Sequence, residues 1–298
     1  MVDPLAEVIT LLRPRAVYSK VISGAGAWSV RYSAFGQPSF CTMLEGECVL
    51  AVQGQEPLTL VAGDFVLMPT TPGFTLSGLA PAAPVLLDSK LQPQPKEEIR
   101  HGTRTGPPDM RMLGGYFAFD SPDAALMVSL LPALLHVRGI ARLALLVQLV
   151  REESLAQRPG RELVLGRLIE VLLVEALRGA PTEGAPPGLL RALADTRLAA
   201  AMRHMHGEPA RAWTVVELAK TAALSRSAFF ERFSRAVGVP PMEYLLAWRM
   251  AMAKDLLTRS DCALAEVAER VGYSSASTFS TAFSRHVGQA PSHYARQQ

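Results

Sequence analysis

The last eighty or so residues carry one pattern twice, and that repeat constrains the chain more than any other feature. The first copy runs Leu218-Ala219-Lys220-Thr221-Ala222-Ala223-Leu224-Ser225 and continues through Phe229, Phe233, Arg235, Val237, Gly238, Pro241 and Tyr244. The second runs Val267-Ala268-Glu269-Arg270-Val271-Gly272-Tyr273-Ser274 and continues through Phe279, Phe283, Arg285, Val287, Gly288, Pro291 and Tyr294. The offset is 49 residues up to the serine and 50 after it, which puts one inserted residue at the start of the second helix. A repeat of this period signals a duplicated supersecondary unit. Each unit reads as short helix, tight turn, second helix, the helix-turn-helix shape that enters DNA grooves. An α-solenoid needs three or more copies to bury a continuous core. Only two are present.

Local chemistry explains why each copy folds this way. Apolar residues from Val215 to Ala222 recur at helical spacing, while Glu217 and Lys220 face outward. Thr214 can cap that helix, and Ser225 and Ser274 stand where the next helix needs a cap. Ala219 and Ala268 are small where two crossing helices must approach. Phe229 and Phe233, like Phe279 and Phe283, lie four apart and share one face. Gly238 and Gly288 are helix stops, and Pro241 and Pro291 open the helices that follow. Between the copies, Met242 to Leu257 reads as one helix with Tyr244, Leu245, Trp248, Met252, Leu256 and Leu257 on an apolar face. Its sixteen residues make a rod of about 24 Å. Successive major grooves on one side of B-DNA lie about 34 Å apart. A rigid bridge of that length, with the width of the units added, suits two reading helices in adjacent grooves.

Residues 189–298 resemble the DNA-binding domain of the AraC/XylS family of bacterial transcription regulators. The duplicated turn carries the resemblance, together with Trp248-Arg249-Met250 and the run from Val271-Gly272-Tyr273-Ser274 to Phe283-Ser284-Arg285. It implies an all-α, bilobed domain with two helix-turn-helix motifs that binds promoter DNA and, in an activator, works with RNA polymerase.

Exclusion of the core phenylalanines leaves the outer faces of the reading helices. In the first copy these are Arg226, Ser227, Phe230 and Glu231; in the second, Ser275, Ala276, Ser277, Thr278, Ser280 and Thr281. Arg226 is the best base reader, because a guanidinium grips guanine bidentately. Glu231 departs from the basic or polar residue often found there in the family, and a carboxylate near phosphates costs affinity unless it accepts from cytosine. The second helix is short of donors, so it should lean on backbone contacts and DNA shape. Arg232, Arg235, Arg249, Arg285 and His286 are candidate phosphate contacts, with a solvated surface charge as the alternative for each. Residues 189–298 hold a net charge of +5 and residues 1–188 a net of −2. A basic DNA-binding end and a near-neutral sensing end would show that asymmetry.

The N-terminal stretch reads as β-rich from about 15 to 120. Short apolar runs alternate with turns at Trp28–Ser33, Ser39–Leu44, Cys48–Val52, Leu58–Leu60, Phe65–Met68, Phe74–Leu76 and Val85–Leu87, with a hairpin turn at Gly46. This spacing suggests a barrel or jelly roll. Gly63-Asp64-Phe65-Val66-Leu67-Met68-Pro69 resembles the second signature of the cupin barrel. Cupin sensor domains precede the DNA-binding end in many AraC-type regulators, so the two resemblances support one another. The metal-binding cupins converge three histidines and a carboxylate; here Cys41, Met43, Glu47 and Phe74 take those places. Phe74 ligates nothing, and a thiol, a thioether and a carboxylate suit iron or manganese poorly. No metal, cofactor or catalytic residue is therefore expected. An apolar interior around Phe40, Cys41, Met43 and Phe74 is the expected pocket for a small organic effector. Cys41 is either a thiol sensor or inert packing.

Three helical runs follow: Ser121–His136, Gly139–Gln157 and Arg161–Arg178. The wide apolar stripe of the last must meet another element, either the barrel or a second copy in a homodimer. Residues 179–188, rich in Gly and Pro, read as a linker. The domains are expected at 1–120, 121–178 and 189–298, a multi-domain α+β chain. None of the six histidines shows defensible ligand spacing; His204 and His206 should point in different directions. The greasiest runs are about a dozen residues against the roughly twenty that a membrane span needs, so no membrane partner is expected. The start lacks a signal-peptide layout, and three cysteines without one suit a reducing cytoplasm. The expectation is a sequence-specific, effector-controlled regulator. The alternatives are a cupin-class enzyme fused to a DNA-binding tail and an architectural DNA binder without an effector.

Overall fold

The computed structural model describes residues 2–87, 98–121, 124–156, 158–180, 187–259 and 262–296. The chain divides into two units, each assembled from separated stretches. Residues 13–120 and 132–181 form a β-rich unit; residues 1–12, 121–131 and 182–298 form a helical one.

The chain opens with helix α1 (Pro4–Leu12) and the long strand β1 (Pro14–Ala25). Strands β2 (Ser29–Tyr32), β3 (Ser39–Glu45), β4 (Glu47–Val52), β5 (Leu58–Val61), β6 (Phe65–Met68) and β7 (Phe74–Ser77) follow. Next come β8 (Val85–Leu87), β9 (Glu98–Gly102), β10 (Met110–Phe119), α2 (Ala124–Ser129), β11 (Leu135–Val137), α3 (Ala141–Leu155) and α4 (Arg161–Arg178). The remaining helices are α5 (Leu189–Ala194), α6 (Thr196–Gly207), α7 (Val215–Thr221) and α8 (Arg226–Val237). After them come α9 (Pro241–Arg259), α10 (Leu264–Arg270), α11 (Ala276–Val287) and α12 (Pro291–Arg296).

In the β-rich unit two sheets face one another, in the orders β11-β6-β3-β10-β1-β9 and β5-β4-β7-β2-β8. Alternation along each strand decides what lies between them. In β3, Met43 and Cys41 join Val30, Leu50, Leu76 and Met112 in the interior. Phe40 belongs to the other face, its ring 6.4 Å from Phe65 and 6.3 Å from Phe117. The β3–β4 hairpin turns at Gly46, where φ is 71°. A Cβ there would lie 1.9 Å from the Asp109 carbonyl oxygen, so the turn requires glycine.

The run expected as a helix over Ser121–His136 breaks in two. Helix α2 stops at Ser129, and β11 pairs antiparallel with β6, Leu135 opposite Leu67. Pro132 lacks an N–H and disfavours helical backbone at the residue before it, which frees the chain to change direction. Asp64 from the cupin-like signature secures the new strand. Its carboxylate is only 2% exposed and accepts from the Val61 N–H, with His136 Nε2 at 3.0 Å and Arg138 Nε at 3.2 Å. A carboxylate this buried is tolerated because it is paired.

Helix α4 buries Leu165, Ile169, Leu172, Leu173, Ala176 and Leu177 against α3 and β1, so packing onto the barrel accounts for its inner face. Leu163 in the same helix is 67% exposed, with Leu145, Leu149, Val164 and Val171 also at the surface. Two segments depart from the expected boundaries at 120 and 188. Helix α1 packs on α6 and α9, and α2 packs on α1, so both belong to the helical unit. Asp3 caps α1, accepting from the Leu5 N–H at 3.0 Å, and Leu5, Val8, Ile9 and Leu12 are buried. Residues 181–186 of the expected linker lie outside the described residues.

Candidate nucleic-acid interface

The two copies superpose in their chemistry. Phe229 and Phe233 sit 5.5 Å apart, and Phe233 meets Tyr244 edge-on at 5.7 Å. Phe279 and Phe283 sit 5.5 Å apart, and Phe283 meets Tyr294 edge-on at 5.6 Å. All four phenylalanines are fully buried, as are Leu218 and its counterpart Val267. Each reading helix is thereby pinned by the same aromatic ladder, with its other face outward.

The turns show how register is kept. Helix α7 ends with the Leu224 N–H donating to the Ala219 carbonyl oxygen, and α10 with the Tyr273 N–H donating to Ala268, both at 2.9 Å. The left-handed residue is Ala223 in the first copy and Gly272 in the second. Ser225 caps α8 through the Ala228 N–H. In the second copy the cap is Ser275, accepting from the Thr278 N–H at 3.2 Å, rather than Ser274. Ser274 is itself the inserted residue. Helix α7 also has a capping box between Thr214 and Glu217, whose hydrogen bonds from the Thr214 hydroxyl and N–H hold the carboxyl below its usual range. Helix α10 has Ala263 as its N-cap and so lacks a side-chain cap.

Helix α9, at 19 residues about 28 Å long, joins the copies. Its first half buries Tyr244, Leu245 and Trp248; its second half contributes Met250 and Ala253 to the core around Phe279 and Phe283. His206 enters this seam, its Nε2 2.7 Å from the Tyr244 hydroxyl and its ring 4.0 Å from Trp248. Burial pushes its pKa down to about 3. His204 points elsewhere, toward Trp213.

The expected contact residues sort into four groups. Arg226, Ser227, Phe230 and Glu231 lie exposed together at the start of α8, and Phe230 keeps 44% of its surface open. Arg235, Arg285 and His286 are exposed near the helix ends. On α11, Ser275, Ser277, Thr278 and Thr281 are exposed, but their hydroxyls bond locally. Thr278 donates to the Ser275 carbonyl and Thr281 to the Ser277 carbonyl, while Ala276 and Ser280 are half-buried. Arg232 and Arg249, expected as phosphate contacts, both hold partners within the protein, Arg232 while still half exposed. Arg232 pairs with Asp195, the cap of α6. Half-buried Arg249 donates from Nε to the Pro209 carbonyl at 2.8 Å and from Nη2 to the Arg211 carbonyl at 2.7 Å, and burial lowers its pKa.

Of the four residues expected to form an effector pocket, Cys41, Met43 and Phe74 share the interior between the sheets, while Phe40 packs elsewhere. Phe74 stacks on Tyr32 at 4.7 Å, and Met43 fills the interior with its sulfur 3.8 Å from Cys48 Sγ. Phe40 lies on the opposite face of its sheet. Burial pushes the Cys41 thiol up, and Cys48 up to about 12, which disfavours the thiolate that a sensor needs. Among the described residues no group of three His, Cys, Asp or Glu side chains converges as metal ligands, and no helix is long and apolar enough to cross a membrane.

Fold and site thus define a cupin barrel carried on one chain with a duplicated helix-turn-helix domain. Family comparison divides the sequence the same way: the model described as Cupin matches residues 3–180, and the one described as helix-turn-helix domain matches residues 218–297. A putative AraC-like transcription regulator of Streptomyces lividans is 36% identical over 98% of this chain and 97% of its own. One of Streptomyces antibioticus is 35% identical over 98% of each. The HTH-type transcriptional regulator AlkR of Acinetobacter baylyi is 33% identical over 57% of this chain and 58% of its own. The chain belongs to the AraC-like transcription regulators, and its helix-turn-helix domain is DNA-binding.

Proposed function

We propose that α8 and α11 enter successive major grooves on one side of promoter DNA, and that a small organic molecule bound by the cupin domain alters this binding. The observation that carries the reading is the matched pair of aromatic ladders, of α8 and of α11, packed with opposite halves of one continuous helix, α9. Two identical supports on one rod favour two reading helices with fixed spacing. Arg226, Ser227, Phe230 and Glu231 face bases, with Arg226 on guanine. The self-bonded hydroxyls of Ser275, Ser277, Thr278 and Thr281, with Ala276 and Ser280, favour shape readout by α11. Arg235, Arg285 and His286 serve phosphates.

The protein is a regulator rather than an enzyme: its full-length relatives are named as regulators, and its cupin interior is filled by Met43, Cys48 and Phe74. It acts in the cytoplasm as a homodimer, through the apolar surface of Leu145, Leu149, Val164 and Val171 on α3 and α4. If it is an activator it also contacts RNA polymerase. Selection from random duplexes tests the reading. Enrichment of a site of about two helical turns, bound at least about a thousandfold more tightly than scrambled DNA, is expected. Enrichment of no sequence would contradict it.

A further inference from the structure

Where the two sheets run out at their edge strands β8 and β9, the β-rich unit leaves a cleft of about 640 Å³. Its apolar wall is formed by Val30, Val85, Leu87 and Ile99, and His101 and Arg104 stand on the polar side. Trp28 forms the back. Three glycines make room for its indole: a Cβ on Gly24 would fall 2.5 Å from it, one on Gly78 2.9 Å, and one on Gly102 3.2 Å from the same side chain. The His101 ring stacks on the indole at 5.5 Å, and the Tyr32 hydroxyl lies 3.4 Å from its Nε2. Separate parts of the chain thus give up side-chain volume to fix one aromatic wall and one imidazole.

Charge around the cleft is lopsided. Burial, with Lys20 nearby, lowers the pKa of His101, and burial brings Lys20 itself down to about 8. Two bases are therefore close together and desolvated. Arg100 also lines the cleft, but its guanidinium donates to the carbonyl oxygens of Thr103 and Gly106, shaping the loop that presents Arg104. The acid at the rim, Glu98, accepts from the Ser23 hydroxyl at 2.7 Å. Arg104 is left exposed at the mouth.

We propose that this cleft binds a small organic acid, its apolar body against Val30, Val85, Leu87 and Ile99 and its carboxylate held by Arg104 with His101 in reach. An apolar pocket with few convergent polar groups suits such a ligand, and a guanidinium matches a carboxylate bidentately. The inference rests on the effector reading above and names its ligand class and its place.

Titration calorimetry of the full chain with benzoate and octanoate, each against its primary amide at pH 7.5, tests it. At least one acid should bind, with its amide tenfold weaker or worse. Arg104→Ala should erase that preference without moving the melting temperature, because the side chain is exposed and has no partner among the described residues. Val85→Trp, at a position 63% exposed, should block the cleft. The inference is overturned if neither acid binds, if acid and amide bind equally, or if both variants bind the acid as well as the parent does. DNA affinity measured in parallel separates the two readings. Acid binding that leaves operator affinity unchanged removes the effector role but keeps the site. Operator binding without acid binding removes the site alone.

Discussion

Ala223 and Gly272 occupy the same place in the two turns, at φ of 50° and 85°, each following the last turn of the first helix of its copy. The first copy holds an L-residue where glycine is at ease. Ala223→Gly should therefore stabilise the helical unit by up to about 1 kcal/mol, because the left-handed strain exceeds the entropy that glycine adds to the unfolded chain. Gly272→Ala should destabilise by more than that, since its Cβ would also meet the Ala210 carbonyl oxygen at 2.7 Å. Thermal or urea unfolding of both variants checks the opposite signs.

His206 makes the helical unit sensitive to acid. Its folded pKa of about 3 lies below the ordinary 6.5, so the native state holds the neutral ring. The corresponding stability is fully present above pH 6.5 and is lost as pH falls toward 3, at a limiting slope of about 1.4 kcal/mol per pH unit. Urea midpoints between pH 7.5 and 4.5 should show that slope. His206→Gln should flatten it at some cost in stability at neutral pH.

Arg226→Ala should weaken operator binding by about 1–3 kcal/mol and relax preference at one base position. Competition against duplexes varied at single positions provides the check. Equal loss on cognate and scrambled DNA would make Arg226 a phosphate contact.

Arg249 and Arg235 should part company. Arg235→Ala should reduce the slope of log affinity against log salt by about one without changing the melting temperature. Arg249→Ala should lower the melting temperature, because two carbonyls of the Pro209–Arg211 loop lose their donor, and leave the salt slope alone. Salt titrations with melting curves distinguish them.

The helical duplication was legible because its rules are local. Phenylalanines four apart, a capping serine and a glycine stop can each be read within one turn of helix. The cap at Ser275 escaped because Ser274, Ser275 and Ser277 are chemically alike, and only backbone geometry selects among them. The partners of Arg232 and Arg249, Asp195 and the Pro209–Arg211 carbonyls, could not be read because they are distant in sequence. The strand at Leu135–Val137 hid in a helical run because its pairing with β6 is non-local. The cleft at Trp28 had no signature at all, since Gly24, Gly78 and Gly102 meet the indole only after the sheets assemble.

Hydroxyl-radical footprinting of the full chain on a selected operator tests the paired-groove geometry most directly. Two protected patches about 10 base pairs apart on one side of the duplex are the predicted result for each bound chain. One protected groove, or patches on opposite sides of the helix, would contradict it.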